Sequence, residues 1–329
     1  MHATLRYAVT DGLRVHNHFT PEFLLRRFTI AGSDTEVFRF DLQTGETQRL
    51  PIRTAAVRKH FYHVTPRAHS QADIVERFLS DIEGEAAFAI SEIVDHQRDI
   101  TPSKRVALDD FIVSSSLRSP LGIRALADTR EEGITHPRPG DPGAALSAWR
   151  RAISLKHGMT RRMALGNCAE HLYNLCKSDI SDRDFAAVAL TLLTHQVSSD
   201  LYTNALGIKR SALLPPPLIT GDSFMWVFSI PCDGQRPEIC PLFDPQAMIV
   251  MPLAPDVVLS SSFNRRPTAG SQLTLIEAAE VNSQVVRFSD RFLYAPFDDF
   301  IFADTNYTIR TWKADGQGLR KTYAGVDPT

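Results

Sequence analysis

The chain has 329 residues, 43% hydrophobic and 22% charged, with 36 Lys and Arg against 38 Asp and Glu for a net charge of -2. Such a composition excludes disordered, collagenous and coiled-coil proteins, and the length suffices to bury a core without disulfide or metal staples. Near-neutral charge gives no global pull on nucleic acid or anionic membrane, so neither is favoured as a partner, though a local basic patch is not excluded.

No apolar run approaches the roughly 18 to 20 residues that cross a bilayer, and Met1 to Arg14 lack the apolar core of a signal peptide. The sequence therefore reads as soluble and cytoplasmic. Its four cysteines, at 168, 176, 232 and 240, form no CxxC pair, so no zinc ribbon or redox motif is written here.

The informative stretch opens at His16-Asn17-His18 and continues through Thr20-Pro21-Glu22-Phe23 to Phe28. Thr20 has the chemistry of a helix cap, Pro21 suits a first helical position and Glu22 complements the positive end of the dipole. A short helix is predicted from Pro21, anchored by Phe23, Leu24 and Phe28. Glu36 to Phe40 and Glu46 to Leu50, around a turn containing Gly45, read as a β-hairpin, and residues 60–64 as another strand. From Ala72 to His96 the residues Ile74, Phe78, Ile82, Ala86, Ala89 and Ile93 recur at the helical period, which predicts a long central helix with this face buried. A second helix opens at Thr101-Pro102 and runs through Val106, Phe111 and Ile112 until Pro120.

Residues 131–142 hold three prolines and two glycines and read as a surface loop or lid. Helices are expected near 144–157, 160–177 and 182–206, until Pro215-Pro216-Pro217 ends the helical middle. Strands follow at Leu218 to Thr220, Phe224 to Ile230, Met248 to Met251 and Val257 to Ser262. A helix between Thr274 and Arg291, a strand at Phe292 to Ala295 and two more by Trp312 complete the series. Residues 1–329 are thus read as a single α+β domain, a largely helical middle flanked by N-terminal and C-terminal β segments.

Glu76 and Glu83 stand seven residues apart on the long helix, so their directions differ by about 20° and their backbones by about 10 Å along the axis. Both sit at the edge of the apolar stripe beside Ser80 and Ala87, either bracketing a metal ion or substrate group or forming a solvated rim. His16 and His18 alternate on an extended segment next to a helix amino terminus. That arrangement suits a metal, a phosphate or a general base, and equally two histidines satisfied by local hydrogen bonds.

Arg118 follows an apolar helix face and precedes Ser119-Pro120; if buried it needs an anion. That partner is Glu76 or Glu83 in a structural reading and a substrate carboxylate or phosphate in a functional one. Asp222, in Gly221-Asp222-Ser223, reads first as a turn residue and second as a ligand or base presented at a sheet edge. His195 on an apolar stripe, His60 and His63 around Phe61-Tyr62, and Glu170 with His171 on a polar stripe have plain structural readings. The glycine-rich nucleotide, P-loop, zincin and hydrolase-elbow motifs are all absent from the sequence.

Taken as a series, the segments resemble the family known as domain of unknown function 4238. The resemblance rests on His18-Phe19-Thr20-Pro21-Glu22-Phe23-Leu24-Leu25-Arg26-Arg27-Phe28, on Phe61-Tyr62, on Val75-Glu76 with Ile82-Glu83 and Ala86-Ala87, and on Leu117-Arg118-Ser119-Pro120. It continues at Thr220-Gly221-Asp222-Ser223, at Pro252-Leu253 with Pro255, and from Val281-Asn282 onward. Where the family often has adjacent histidines this chain has Asn17 before His18, and where it often has Ser-Asp-x-Pro this chain has Gly221-Asp222-Ser223-Phe224. The resemblance implies positions rather than a reaction, namely His18, Glu76, Glu83 and Arg118 acting as a group.

A histidine, two boundary carboxylates, an arginine and an aspartate are residue types that hold a divalent cation and activate water for attack on a phosphate or acyl group. The expectation is a metal-dependent hydrolase of a small-molecule or phosphate-containing substrate. His18, Glu76 and Glu83 would hold Mg²⁺, Mn²⁺ or Fe²⁺, Arg118 would stabilise the anion, Asp222 would be a further ligand or base, and His16 would join the catalytic group. Two alternatives use the same residues: a non-haem iron enzyme of oxidative chemistry, and a non-catalytic binding module in which Arg118 pairs permanently with Glu76 or Glu83.

Overall fold

The N-terminal motif folds as a strand, β1 (His16–His18), and a short helix, α1 (Glu22–Leu25), that tightens into a 3₁₀ turn at Arg26–Phe28. The computed structural model describes residues 16–18, 20–59, 74–98, 101–118, 185, 188–190, 194, 205–215, 217–229, 238–239, 247–262, 272–304 and 306–315. Thr20 does not cap α1, contrary to expectation: the Leu24 and Leu25 N–H groups donate to the Pro21 carbonyl, and no side chain caps the helix. The hairpin is present as β2 (Glu36–Asp41) and β3 (Thr47–Pro51), turned by Gly45 at φ 73°, where a side chain would be strained. After α2 (Ile52–Ala55) comes β4 (Val57–Lys59), which pairs antiparallel with β1. The strand expected at 60–64 lies outside the described residues.

Two long helices follow, α3 (Ile74–Val94) and α4 (Pro102–Arg118), packed as an antiparallel hairpin. Among the described side chains of α3 the buried ones are Leu79, Ile82, Ala86, Ala89, Ile90, Glu92 and Ile93, while Phe78 is half-buried and Phe88 exposed; the side chain of Ile74 lies outside the described residues. The seam runs 79, 82, 86, 89, 93, the three-four alternation of two helices side by side. The central helix is α4 rather than α3. Every residue from Ala107 to Ser115 is buried, around the whole circumference and with Asp109, Asp110, Ser114 and Ser115 among them.

The lid and the helices expected near 144–157 and 160–177 lie outside the described residues. Phe185, Val188 to Leu190 and Thr194 are helical, within the helix expected at 182–206. The C-terminal part comprises β5 (Ala205–Arg210), β6 (Thr220–Gly221), β7 (Trp226–Ser229), β8 (Glu238–Ile239), β9 (Ala247–Ala254) and β10 (Val257–Ser262). It continues with α5 (Leu275–Phe288), β11 (Phe292–Ala295), β12 (Ile301–Ala303) and β13 (Ile309–Thr311). One antiparallel sheet has the order β5-β10-β9-β7-β8, and a second, β3-β2-β11-β6, joins the N-terminal hairpin to C-terminal strands. Two-stranded sheets, β1-β4 and β12-β13, complete an α+β architecture.

The second sheet has an apolar layer on each side because alternate residues point to opposite faces. Leu293 opposite Phe40 joins a core with Trp226, Val250, Val285, Val286, Phe300, Phe302 and Trp312. Tyr294 opposite Arg39 faces the other way, into a core of Leu25, Val37, Ile52, Ala55 and Ala56, where its hydroxyl donates to the Ala55 carbonyl at 2.9 Å. No described helix is long and apolar enough to cross a membrane.

Candidate functional site

Four segments singled out in the sequence converge around α4. Phe111, midway along it, contacts Phe23 of α1 (ring centroids 5.4 Å apart, tilted) and Phe224 (5.8 Å, stacked). Thr20 donates to the Gly221 carbonyl at 3.0 Å, across 201 residues of sequence. The N-terminal motif and the Gly221 to Phe224 segment thus meet on the helix that ends at Arg118. Lys104 pairs with Glu92 at 2.9 Å near the turn of the helical hairpin, and equal steps from that pair put Glu83 level with Val113, near the middle of α4, and Glu76 just past its last residue.

The far end of α3 is held from two sides. Arg27 grips Asp95 with two hydrogen bonds, at 2.9 and 3.0 Å, and holds its carboxyl down at about 2. The Arg210 guanidinium of β5 donates to the Ile93 and Val94 carbonyls, which the helix end leaves without helical partners.

His16 and His18 lie two positions apart on β1, opposite Lys59 and Val57 of β4. Glu76 is in the first turn of α3, and Arg118 is the last residue of α4. The side chains of these four residues lie outside the described residues. Glu83 is half-buried at the edge of the α3 seam.

Asp222 lies in the bend that follows β6. It is buried, and its carboxylate accepts backbone N–H bonds from Asp290 (2.8 Å), Arg291 (2.7 Å) and Phe292 (2.9 Å), clamping the start of β11. Burial pushes its carboxyl up to about 6 against the pull of those donors. Its neighbour Gly221 is closely packed: a Cβ there would lie 2.0 Å from Ser289 Oγ and would displace that hydroxyl.

The polar interior of α4 was not read from the sequence. Asp109 accepts from Arg105 Nε on both oxygens, at 2.9 and 2.8 Å, and burial pushes its carboxyl up to about 6 despite that partner. Asp110 is adjacent, and Ser115 Oγ is buried with no hydrogen-bond partner among the described residues. The signal was available: the run Val106-Ala107-Leu108-Asp109-Asp110-Phe111-Ile112-Val113 embeds two carboxylates in apolar sequence, where at least one must go inside. Among the described residues no three His, Cys, Asp or Glu side chains form a metal-ligand group. A cavity of about 650 Å³ between Phe38, Thr47, Asp298, Trp312 and Lys313 includes none of these site residues.

Residues 16–142 match the family model described as "Protein of unknown function (DUF4238)". The resemblance to that family therefore holds over the stretch containing β1, α3 and α4, and with them His18, Glu76, Glu83 and Arg118. The blocks from Thr220 onward, including Asp222, fall outside the matched stretch. Comparison with curated proteins and with solved structures yields no match.

Proposed function

We propose that the protein is a metal-dependent hydrolase acting on a phosphate or acyl group of a small-molecule or phosphate-containing substrate in the cytoplasm. His18, Glu76 and Glu83 hold a divalent cation, Mg²⁺, Mn²⁺ or Fe²⁺, and Arg118 neutralises the charge that develops on the substrate. A bound cation of this kind polarises the substrate oxygen and makes its water more acidic. His16, two positions from His18, is the candidate proton acceptor. Asp222, with both oxygens taken by backbone N–H groups, contributes by bracing the segment that meets the N-terminal motif.

The observation that supports this reading is the convergence on α4 of segments far apart in the chain, with carboxylates inside an otherwise apolar layer. Buried charge is costly unless it is matched, and sites that shift carboxyl values upward are where acid-base chemistry is found. A second reading, the non-catalytic binding module, has its own support. Asp109 is engaged by Arg105, Glu92 by Lys104 and Asp222 by the backbone, as in a self-satisfied polar network.

Thermal denaturation of wild type and Glu83→Gln, each with chelator and with added Mg²⁺, Mn²⁺ or Fe²⁺, separates the two. Ligands crowded around an absent ion repel one another, so a ligand Glu83 makes Glu83→Gln neutral or stabilising without metal and abolishes the rise in Tm on metal addition. A wild type whose Tm ignores every metal, with a variant that melts lower throughout, would sink the hydrolase reading and favour the binding module.

A further inference from the structure

Thr20 stands immediately before Pro21, with the hydroxyl of a helix cap, yet that hydroxyl makes no bond to α1. An N-cap hydroxyl accepts from a backbone N–H of the first turn and contributes about 1 kcal/mol. Here the residue is fully buried, and the hydroxyl donates to the Gly221 carbonyl. The acceptor is fixed by three independent constraints. Gly221 pairs with Leu293 of β11, it is packed so closely against Ser289 that a Cβ would displace the Ser289 hydroxyl, and the next residue is clamped by three N–H groups. The donor end is short: two residues span at most about 7 Å, so Thr20 on one side and the pairing of His18 with Val57 of β4 on the other together limit where His18 can sit.

We infer that Thr20 is a positioning residue, whose bond to the Gly221 carbonyl sets the place of His18 relative to the Asp222 turn. The inference deepens the proposed function and rests on it for its effect on metal binding, but its effect on His18 is separately measurable. Removing an outer partner that orients a metal ligand weakens metal binding by roughly 10- to 100-fold.

The test uses the full chain as wild type, Thr20→Val and Thr20→Ser, with isotope-labelled histidine and His18→Gln to assign the His18 imidazole resonances. Mn²⁺ affinity is measured on the same samples by calorimetry. Thr20→Val should move the His18 resonances and weaken Mn²⁺ binding about tenfold or more, and Thr20→Ser, which keeps the hydroxyl, should restore both. If Thr20→Val fails to fold, Thr20→Ala, which removes the hydroxyl without a branched replacement, gives the same two readouts. Unmoved His18 resonances in a folded variant that merely melts lower would overturn the inference and leave Thr20 a stability residue. A wild type that binds no Mn²⁺ counts against the metal reading, while the His18 resonances still decide the role of Thr20.

Discussion

Gly221 and Ser289 make a pair whose energetics run against intuition. Ser289 Oγ is buried without a hydrogen-bond partner among the described residues, yet it occupies the space that a side chain at 221 would need. Gly221→Ala should therefore cost about 1 to 3 kcal/mol from overpacking. Ser289→Ala, which removes an unsatisfied hydroxyl, should be neutral or slightly stabilising. The double variant should recover much of the loss, because the remaining Ser289 Cβ lies 3.3 Å from the new carbon, tight but tolerable. Urea denaturation of the four proteins closes the cycle, and strict additivity would refute the packing account. At the neighbouring position, Asp222→Asn turns an amide donor toward N–H groups that need acceptors, and a loss of about 1 to 3 kcal/mol is expected by the same measurement. The sequence reading offered Asp222 as a turn residue or as a ligand or base, and could not give its partners, which lie 68 to 70 positions away.

Among the elements, α3 and α5 were legible because each keeps one face buried and therefore writes a period. α5 also carries a capping box, in which Thr274 Oγ1 accepts from the Glu277 N–H while the Glu277 carboxylate accepts from the Thr274 N–H. Thr274→Ala should lower stability by about 1 kcal/mol in thermal or urea unfolding; an unchanged midpoint would mean that Glu277 and its Lys209 partner hold the helix end unaided. The N-terminal Thr20 lacks a Glu three residues on, the helix behind it is capped at Pro21 one position later, and its hydroxyl donates to the distant Gly221 carbonyl instead. α4 was legible as a helix and illegible as the centre. A helix buried around its whole circumference shows no amphipathic stripe, and its carboxylates make it look like a surface helix. β5 falls where a helix was expected to end, since strand pairing with β10 is decided by a partner about 50 residues downstream rather than by local preference.

For the whole molecule, the buried and exposed carboxyls set opposite pH dependences in separate windows. Asp109 and Asp222 have an ordinary value of 3.8 and are pushed up to about 6 by burial, so the folded state holds protons that the unfolded chain has released. Their contribution is complete below about pH 4 and is lost as pH rises through about 6, with a slope of at most about 1.4 kcal/mol per pH unit for each group. Asp95 runs the other way. Held down to about 2 by Arg27, it adds stability above about pH 4 that is lost as pH falls toward 2. Urea midpoints across pH 4 to 6 should therefore decline, and Asp109→Asn should flatten that decline whatever it does to absolute stability. A slope unchanged by Asp109→Asn would show that Asp109 does not titrate in this window.

By itself the sequence determined the elements whose information is local: the β2–β3 hairpin around Gly45, the period of α3, the helix between Thr274 and Arg291, and the positions from His18 to Arg118 that resemble one family. Only the tertiary structure decided that α4 is the centre, that Thr20 bonds to Gly221 rather than to its own helix, and that Asp222 clamps β11. Each of those depends on a partner or a dry environment supplied by residues far along the chain, and neither periodicity nor capping chemistry encodes where a distant carbonyl will come to lie.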